Sequence, residues 1–139
     1  MDAMGYEGKF YYGTAGAQAA LLVENVVDLN YDKDPERGST TIRGNGSAPP
    51  IVTSRVTGLK PTITWTMINR TADVALAAFR AAAATGAAIA LRTKDHATGK
   101  GYDGDMTLSE KEGQPLHGEQ TFEFTAEATR ELREPQLYV

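Results

Sequence analysis

The chain contains no cysteine, which excludes disulfide staples and thiolate metal sites and leaves packing as the source of stability. Large apolar side chains are scarce as well: Leu, Ile, Val and Phe together supply 26 of 139 residues. That is just under the fifth below which disorder competes when net charge is high, but the net charge is only −4. Alanine (20 residues), Tyr, Met and Thr-rich strands make up the deficit, so the expected core is thin and gains from burial against other subunits. A basic stripe is missing, which argues against tight nucleic-acid binding. Long hydrophobic runs are missing too: Ala72 to Leu91 is mostly alanine and is interrupted by Asp73, Arg80 and Gly86, too weakly apolar to span a bilayer. Met1 to Lys9 has no basic region followed by an apolar run, so no secretory signal is visible and cytoplasmic synthesis is the expectation. The length fits one domain over 1–139.

What is present reads as alternating strands around one helix. Phe10-Tyr11-Tyr12 is a strand closed by Gly13 to Gly16. Val27, Leu29 and Tyr31 then alternate with Asp28, Asn30 and Asp32, one buried face and one wet face. From Lys33 to Pro50 the composition turns to charge, Gly, Ser, Thr and Pro, which predicts a long loop; a short strand at Thr40 to Arg43 would make it an extended hairpin. Val52 and Val56 alternate with Thr53, Arg55 and Thr57 up to a turn at Gly58, and Thr62 to Met67 alternates with Ile63, Trp65 and Met67 inward. A helix is predicted over Ala72–Thr85, capped by Thr71, with Asp73 in its first turn and Gly86 ending it. Its inward stripe is Leu76, Phe79 and Ala83 with Ala72 beside them. Ala88 to Arg92 and Met106 to Leu108 read as strands, Lys94 to Asp105 as a polar connection and Glu110 to Pro115 as a turn. Phe122, Phe124, Ala126 and Ala128 alternate with Thr121, Glu123, Thr125 and Glu127 in a last amphipathic strand. The C-terminal residues 130–139 read as an arm that reaches for a neighbour. The expected fold is mainly β, an antiparallel β-sandwich or partly rolled barrel with the helix packed on one side.

No motif of a reaction centre survives inspection, and no cofactor is expected. Asp32-Lys33-Asp34-Pro35-Glu36 opens like a calcium loop, but Arg37 stands at the glycine position and Arg43 at the bidentate carboxylate. Asp103-Gly104-Asp105 has two carboxylates in what reads as a turn. Gly44-Asn45-Gly46 and Gly99-Lys100-Gly101 lack the partners of a dinucleotide or phosphate loop. His96 and His117 have no nucleophile to serve. The expectation is a structural protein and not an enzyme.

Several segments together resemble the major tail tube proteins of long-tailed bacteriophages. They are Gly8-Lys9-Phe10-Tyr11-Tyr12-Gly13-Thr14, Leu22 to Leu29, the charged loop, the Trp65 strand, the Thr71-Ala72-Asp73 helix start and Phe122-Glu123-Phe124-Thr125-Ala126. The resemblance implies hexameric rings stacked into a hollow tube of the virion, with an inner β-barrel shared among subunits and DNA passing through it without specific binding. It implies as partners the chain itself and other tail proteins such as tape measure, baseplate and tail terminator, with no membrane. It also implies that an assembly loop over about 33–57 reaches the adjacent ring, which nominates Asp34, Pro35, Glu36, Arg37, Arg43, Pro49, Pro50 and Arg55. A conduit must repel or ignore phosphate, which makes Asp28, Asp32, Glu123 and Glu127 on wet strand faces the lumen candidates. The competing expectations are another tail or baseplate ring protein of related fold, and a monomeric β-sandwich binding module.

Overall fold

The computed structural model describes residues 5, 8–42, 46 and 49–139. Seven strands and one helix follow in the order β1 (Lys9–Gly13), β2 (Leu21–Leu22), β3 (Val27–Ile42), β4 (Ile51–Ile68), α1 (Val74–Thr85), β5 (Ile89–Lys94), β6 (Asp103–Gly113) and β7 (Thr121–Ala128). All seven strands form one antiparallel sheet in the order β2-β1-β5-β6-β7-β4-β3. The mainly-β, one-helix expectation holds, with a single sheet that does not close into a barrel.

That sheet is strongly rolled. In a flat sheet β1 and β4, four strand spacings apart, would be separated by about 19 Å. Yet the rings of Phe10 and Trp65 are 4.8 Å apart. The alternation seen in the sequence produces this curl. Phe10 and Tyr12 of β1, Ile63, Trp65 and Met67 of β4, and Phe122, Phe124 and Ala126 of β7 all turn inward and are buried. Trp65 lies directly opposite Phe124 across the β4–β7 ladder, their rings 5.4 Å apart. The helix fills the concave side: Phe79, fully buried, touches the rings of Phe10, Tyr12, Trp65 and Phe124. Across the open seam, the buried Asn25 side chain donates to the Ile68 carbonyl and to Asp73.

The helix starts two residues later than the sequence suggests. Asp73, not Thr71, is the cap: its carboxylate accepts from the Leu76 N–H at 3.3 Å, while Ala72 has a left-handed backbone (φ 62) that cannot continue a helix. The inward stripe is therefore Ala75, Leu76, Phe79 and Ala82; Ala83 is half-buried and Ala72 exposed. Gly86 ends the helix, its N–H bonded to the Ala82 carbonyl at 3.0 Å. The turn expected at Glu110 to Pro115 is also displaced. β6 continues through Gly113, because Glu110, Lys111 and Glu112 pair with Phe124, Glu123 and Phe122 of β7. Its other end begins at Asp103, inside the expected polar connection.

The larger correction concerns residues 33–42 and 51–57. They are paired strands and not a loop, which is the extended-hairpin alternative with longer arms. β3 and β4 stay paired from Lys33–Pro61 out to Ile42–Ile51, a two-stranded ribbon reaching roughly 30 Å beyond the core at ~3.3 Å per residue. Nor is Gly58 a turn. It belongs to β4, next to a bulge in which Thr57 has no partner between the pairs Glu36–Gly58 and Arg37–Val56. The Thr57 methyl stands 3.1 Å from where a Cβ on Gly38 would be, so a larger residue there would have to displace the Thr57 side chain slightly. Among the described residues, no helix is long and apolar enough to cross a membrane.

Candidate assembly surfaces

Three surfaces follow from this architecture. The first is the convex wall formed by β3, β4, β7 and β6. Residues paired across an antiparallel ladder share a face, so the register lines up Asp32–Thr62–Glu127–Thr107, then Asn30–Thr64–Thr125–Ser109, then Thr66–Glu123–Lys111. Three of the four lumen candidates, Asp32, Glu123 and Glu127, thus stand on one polar, threonine-rich wall. Asp28 stands apart: it sits in a β3 bulge with a left-handed backbone (φ 55), a conformation that Asp tolerates better than most residues. Two lysines that the sequence reading overlooked interleave with the acids. Lys60 reaches Glu127 at 3.4 Å and Lys111 stands opposite Glu123. The Lys60–Glu127 pair is about half exposed on both sides, so solvent screening leaves it little weight in stability. Its effect is to bring the wall close to neutral.

The second surface is the ribbon. Asp34 pairs with Lys60, Pro35 with Leu59, Glu36 with Gly58, Arg37 with Val56, and Arg55 with Gly38; Pro49 and Pro50 lie exposed just before β4. Arg43 falls outside the described residues. The nominated residues are therefore brought onto one projection but divided between its two sides. Along β3 the alternation from the core-facing Tyr31 runs unbroken through Lys33, Pro35, Arg37, Ser39 and Thr41. Their β4 partners are Ile63, Pro61, Leu59, Val56, Ser54 and Val52. The bulge at Thr57 thus keeps Val56 and Val52 on the side that continues the core. All three of Val52, Val56 and Leu59 are exposed, at 68%, 48% and 49%.

The third surface consists of strand edges. β3 is the last strand of the sheet, so among the described residues one main-chain edge of its 16 residues has no partner, and at the other end β2 pairs with β1 only at Tyr11 and Tyr12. Exposed edges of this length invite pairing with another chain.

The C-terminal segment takes a different position from the reaching arm expected. After β7 the chain leaves the sheet and returns. Gln136 exchanges two main-chain hydrogen bonds with Asp103 (2.8 and 2.9 Å), and Val139 exchanges two with Gly101 (2.9 and 3.2 Å). It occupies the slot beside β6 that β7 vacates. Arg133 donates to Asp103 at 2.8 Å, and Gln18 donates to the other oxygen of the same buried carboxylate at 3.1 Å. Asp105, wholly buried, accepts from the Gly16 N–H at 2.9 Å. Pro135 crosses over Gly104 so closely that a Cβ there would meet its Cα at 3.0 Å. Tyr31 donates to the Leu137 carbonyl at 2.9 Å, and burial pushes its phenol up to about 12. The Asp103-Gly104-Asp105 sequence is accordingly the first part of a strand, with its carboxylates spent on holding other segments.

Elsewhere, Arg80 of the helix lies over the Phe122 ring and bridges Glu110 and Glu112 at 3.3 and 3.1 Å. Burial raises the Glu110 carboxyl above its usual range, with Glu112 adding and Arg80 opposing. Among the described residues no group of three or more metal-ligating side chains occurs, and His96 and His117 are exposed.

No family model matches the chain, and no curated protein matches it. Solved structures do. A chain from the tail of an empty GTA particle, determined with C6 symmetry, superposes with a TM-score of 0.76 at 12% identity, covering 98% of both chains. The SPP1 tail tube superposes at 0.66 and 11% identity, covering 99% of this chain and 78% of that one. The chain shares their fold. At such identity the likeness is one of overall fold and does not extend to individual side chains.

Proposed function

We propose that the protein is the structural subunit of a phage tail tube, assembling as stacked hexameric rings around a channel that conducts DNA. The observation that carries this reading is the end-to-end coincidence of the chain with a subunit of a six-fold symmetric tail. The surfaces described above support it. Closing a ring of copies pairs the unpartnered edge of β3, turning an aggregation liability into an assembly contact. The convex wall of β3, β4, β7 and β6 faces the channel in this reading, with Asp32, Glu123 and Glu127 as its acidic groups. Threonine hydroxyls and near-balanced charge suit a conduit, because a basic wall would hold the polymer by releasing its counterions. The ribbon, with Asp34, Pro35, Glu36, Arg37, Arg43, Pro49, Pro50 and Arg55, reaches the neighbouring ring. Asp28, in its bulge, is assigned to the rim of the wall.

Sedimentation velocity over a concentration series tests the proposal. Growth of species at multiples of six protomers is the expected result. A sharp monomer boundary at every concentration overturns it in favour of a lone binding module, and a hexamer that never extends favours another ring protein of the tail.

A further inference from the structure

Two segments far apart in the chain cover the same patch of the sheet's outer face. Residues paired across the β5–β6 ladder share a face, which places Arg92 beside Asp103 and Ala90 beside Asp105, and both aspartates are buried, at 3% and 0% exposure. Each oxygen of Asp103 holds a different segment: one accepts from Arg133 of the C-terminal segment, the other from Gln18 of the turn after β1. Asp105 holds the same turn at the Gly16 N–H. The two segments also lie against each other, since a Cβ on Gly16 would meet the Leu132 side chain at 3.7 Å. None of residues 14–18 and 130–139 is itself buried. The cover is therefore fastened mainly by hydrogen bonds that water can replace, and little apolar burial opposes its release. Beneath it, Asp105 Oδ1, Arg92 Nε and Arg133 Nε are buried with no hydrogen-bond partner among the described residues. Hydration of these atoms on opening offsets part of the bonds lost.

We infer that residues 14–18 and 130–139 form one lid that opens as a unit over Asp103 and Asp105 while the rest of the sheet stays folded. Asp103 couples its two halves. A seated turn keeps water from the carboxylate and so strengthens the bond to Arg133, and a seated C-terminal segment does the same for Gln18. The unit has a boundary at each end. Val23 is buried and its N–H bonds the Phe10 carbonyl at 2.9 Å; the Thr129 N–H bonds the Asp105 carbonyl at 3.1 Å and serves as the hinge. Opening uncovers two carboxylates and the main-chain groups of Gly101 and Asp103 that Val139 and Gln136 occupy, so a closed face becomes an acidic one. The lid is a property of the single chain and does not depend on ring formation.

Hydrogen exchange of the full-length protein, read amide by amide, tests the inference with two substitutions. Arg133→Ala removes a contact of the C-terminal segment alone, and Gln18→Ala a contact of the turn alone. Each variant is expected to quicken exchange at all three of the Gly16, Gln136 and Val139 amides by about tenfold, the scale of one lost hydrogen bond to a charged group. The amides of Val23, β4 and β7 are expected to keep their wild-type protection. If Arg133→Ala quickens Gln136 and Val139 but not Gly16, and Gln18→Ala does the reverse, the two covers are independent and the inference is overturned. Unchanged exchange in both variants overturns it as well. So does loss of protection extending to Val23, β4 and β7, because the cover would then be inseparable from the sheet.

Discussion

At the scale of single residues, Phe79 holds the roll together. A flat sheet would leave Phe10 and Trp65 far apart, and it is the ring of Phe79, wedged among Phe10, Tyr12, Trp65 and Phe124, that fills the space curling creates. Phe79→Ala is therefore expected to destabilise the monomer by about 3–5 kcal/mol, measured by urea denaturation, because the aromatic cluster cannot collapse into the void. Tyr31 makes a pH-dependent contribution. Its folded phenol titrates near 12 against about 10 in the unfolded chain, so the neutral form is favoured by folding. The corresponding stability is fully present below pH ~10 and declines as pH rises toward ~12. Tyr31→Phe should cost about 1 kcal/mol at neutral pH through the lost bond to Leu137 and show a shallower alkaline decline than wild type. An unchanged alkaline profile would assign that decline to other groups, such as the buried Tyr102, whose phenol is also raised.

At the scale of elements, the C-terminal segment and the ribbon separate cleanly. Gln136 is pinned by Asp103, which also holds Gln18 and Arg133, and Val139 by Gly101, so Arg133→Ala should speed hydrogen exchange at the Gln136 and Val139 amides while leaving the amides of β4 and β7 protected. Uniform loss of protection across the sheet would make Arg133 a general stability residue and not a latch. Replacing Arg37 to Thr57 by a two-residue Asn-Gly turn between the paired Glu36 and Gly58 removes the outer ribbon together with the bulge. The shortened protein should retain a cooperative thermal transition, because no buried core residue occurs among the described residues of that span, and should form rings that do not stack. An unfolded product would place the ribbon inside the folding unit.

The elements differ in how far the sequence revealed them. β4 and β7 were legible because Ile63–Trp65–Met67 and Phe122–Phe124–Ala126 alternate without interruption. The helix was legible from Leu76, Phe79 and Gly86, but its first turn was not, since a capping Asp73 and a capping Thr71 look alike until the backbone of Ala72 is known. The ribbon read as a loop because neither of its sides is buried within the monomer and its β-branched residues are diluted by Gly, Ser and charge. A turn at Gly58 is the reading the sequence suggests, whereas one extra residue in a continuous strand breaks the alternation in the same way. The polar C-terminal segment gave no periodicity at all. Its placement depends on Asp103, thirty residues before Arg133, and pairwise contacts at that distance leave no local pattern. Of the site, the acids of the wall were found by alternation; Lys60 and Lys111 appear only once the register is known.

At the scale of the whole molecule, the protein is an open roll with a long edge strand, a near-neutral polar wall and a projecting ribbon. On the proposed reading, each of these features is satisfied by further copies of the same chain. The central claim is that the copies form hollow stacked rings. Negative-stain electron microscopy of the purified protein across a concentration and salt series tests it most directly. Six-fold rings with a central channel, lengthening into tubes at high concentration and low salt, are the predicted result. Small particles without a channel at every concentration would contradict it.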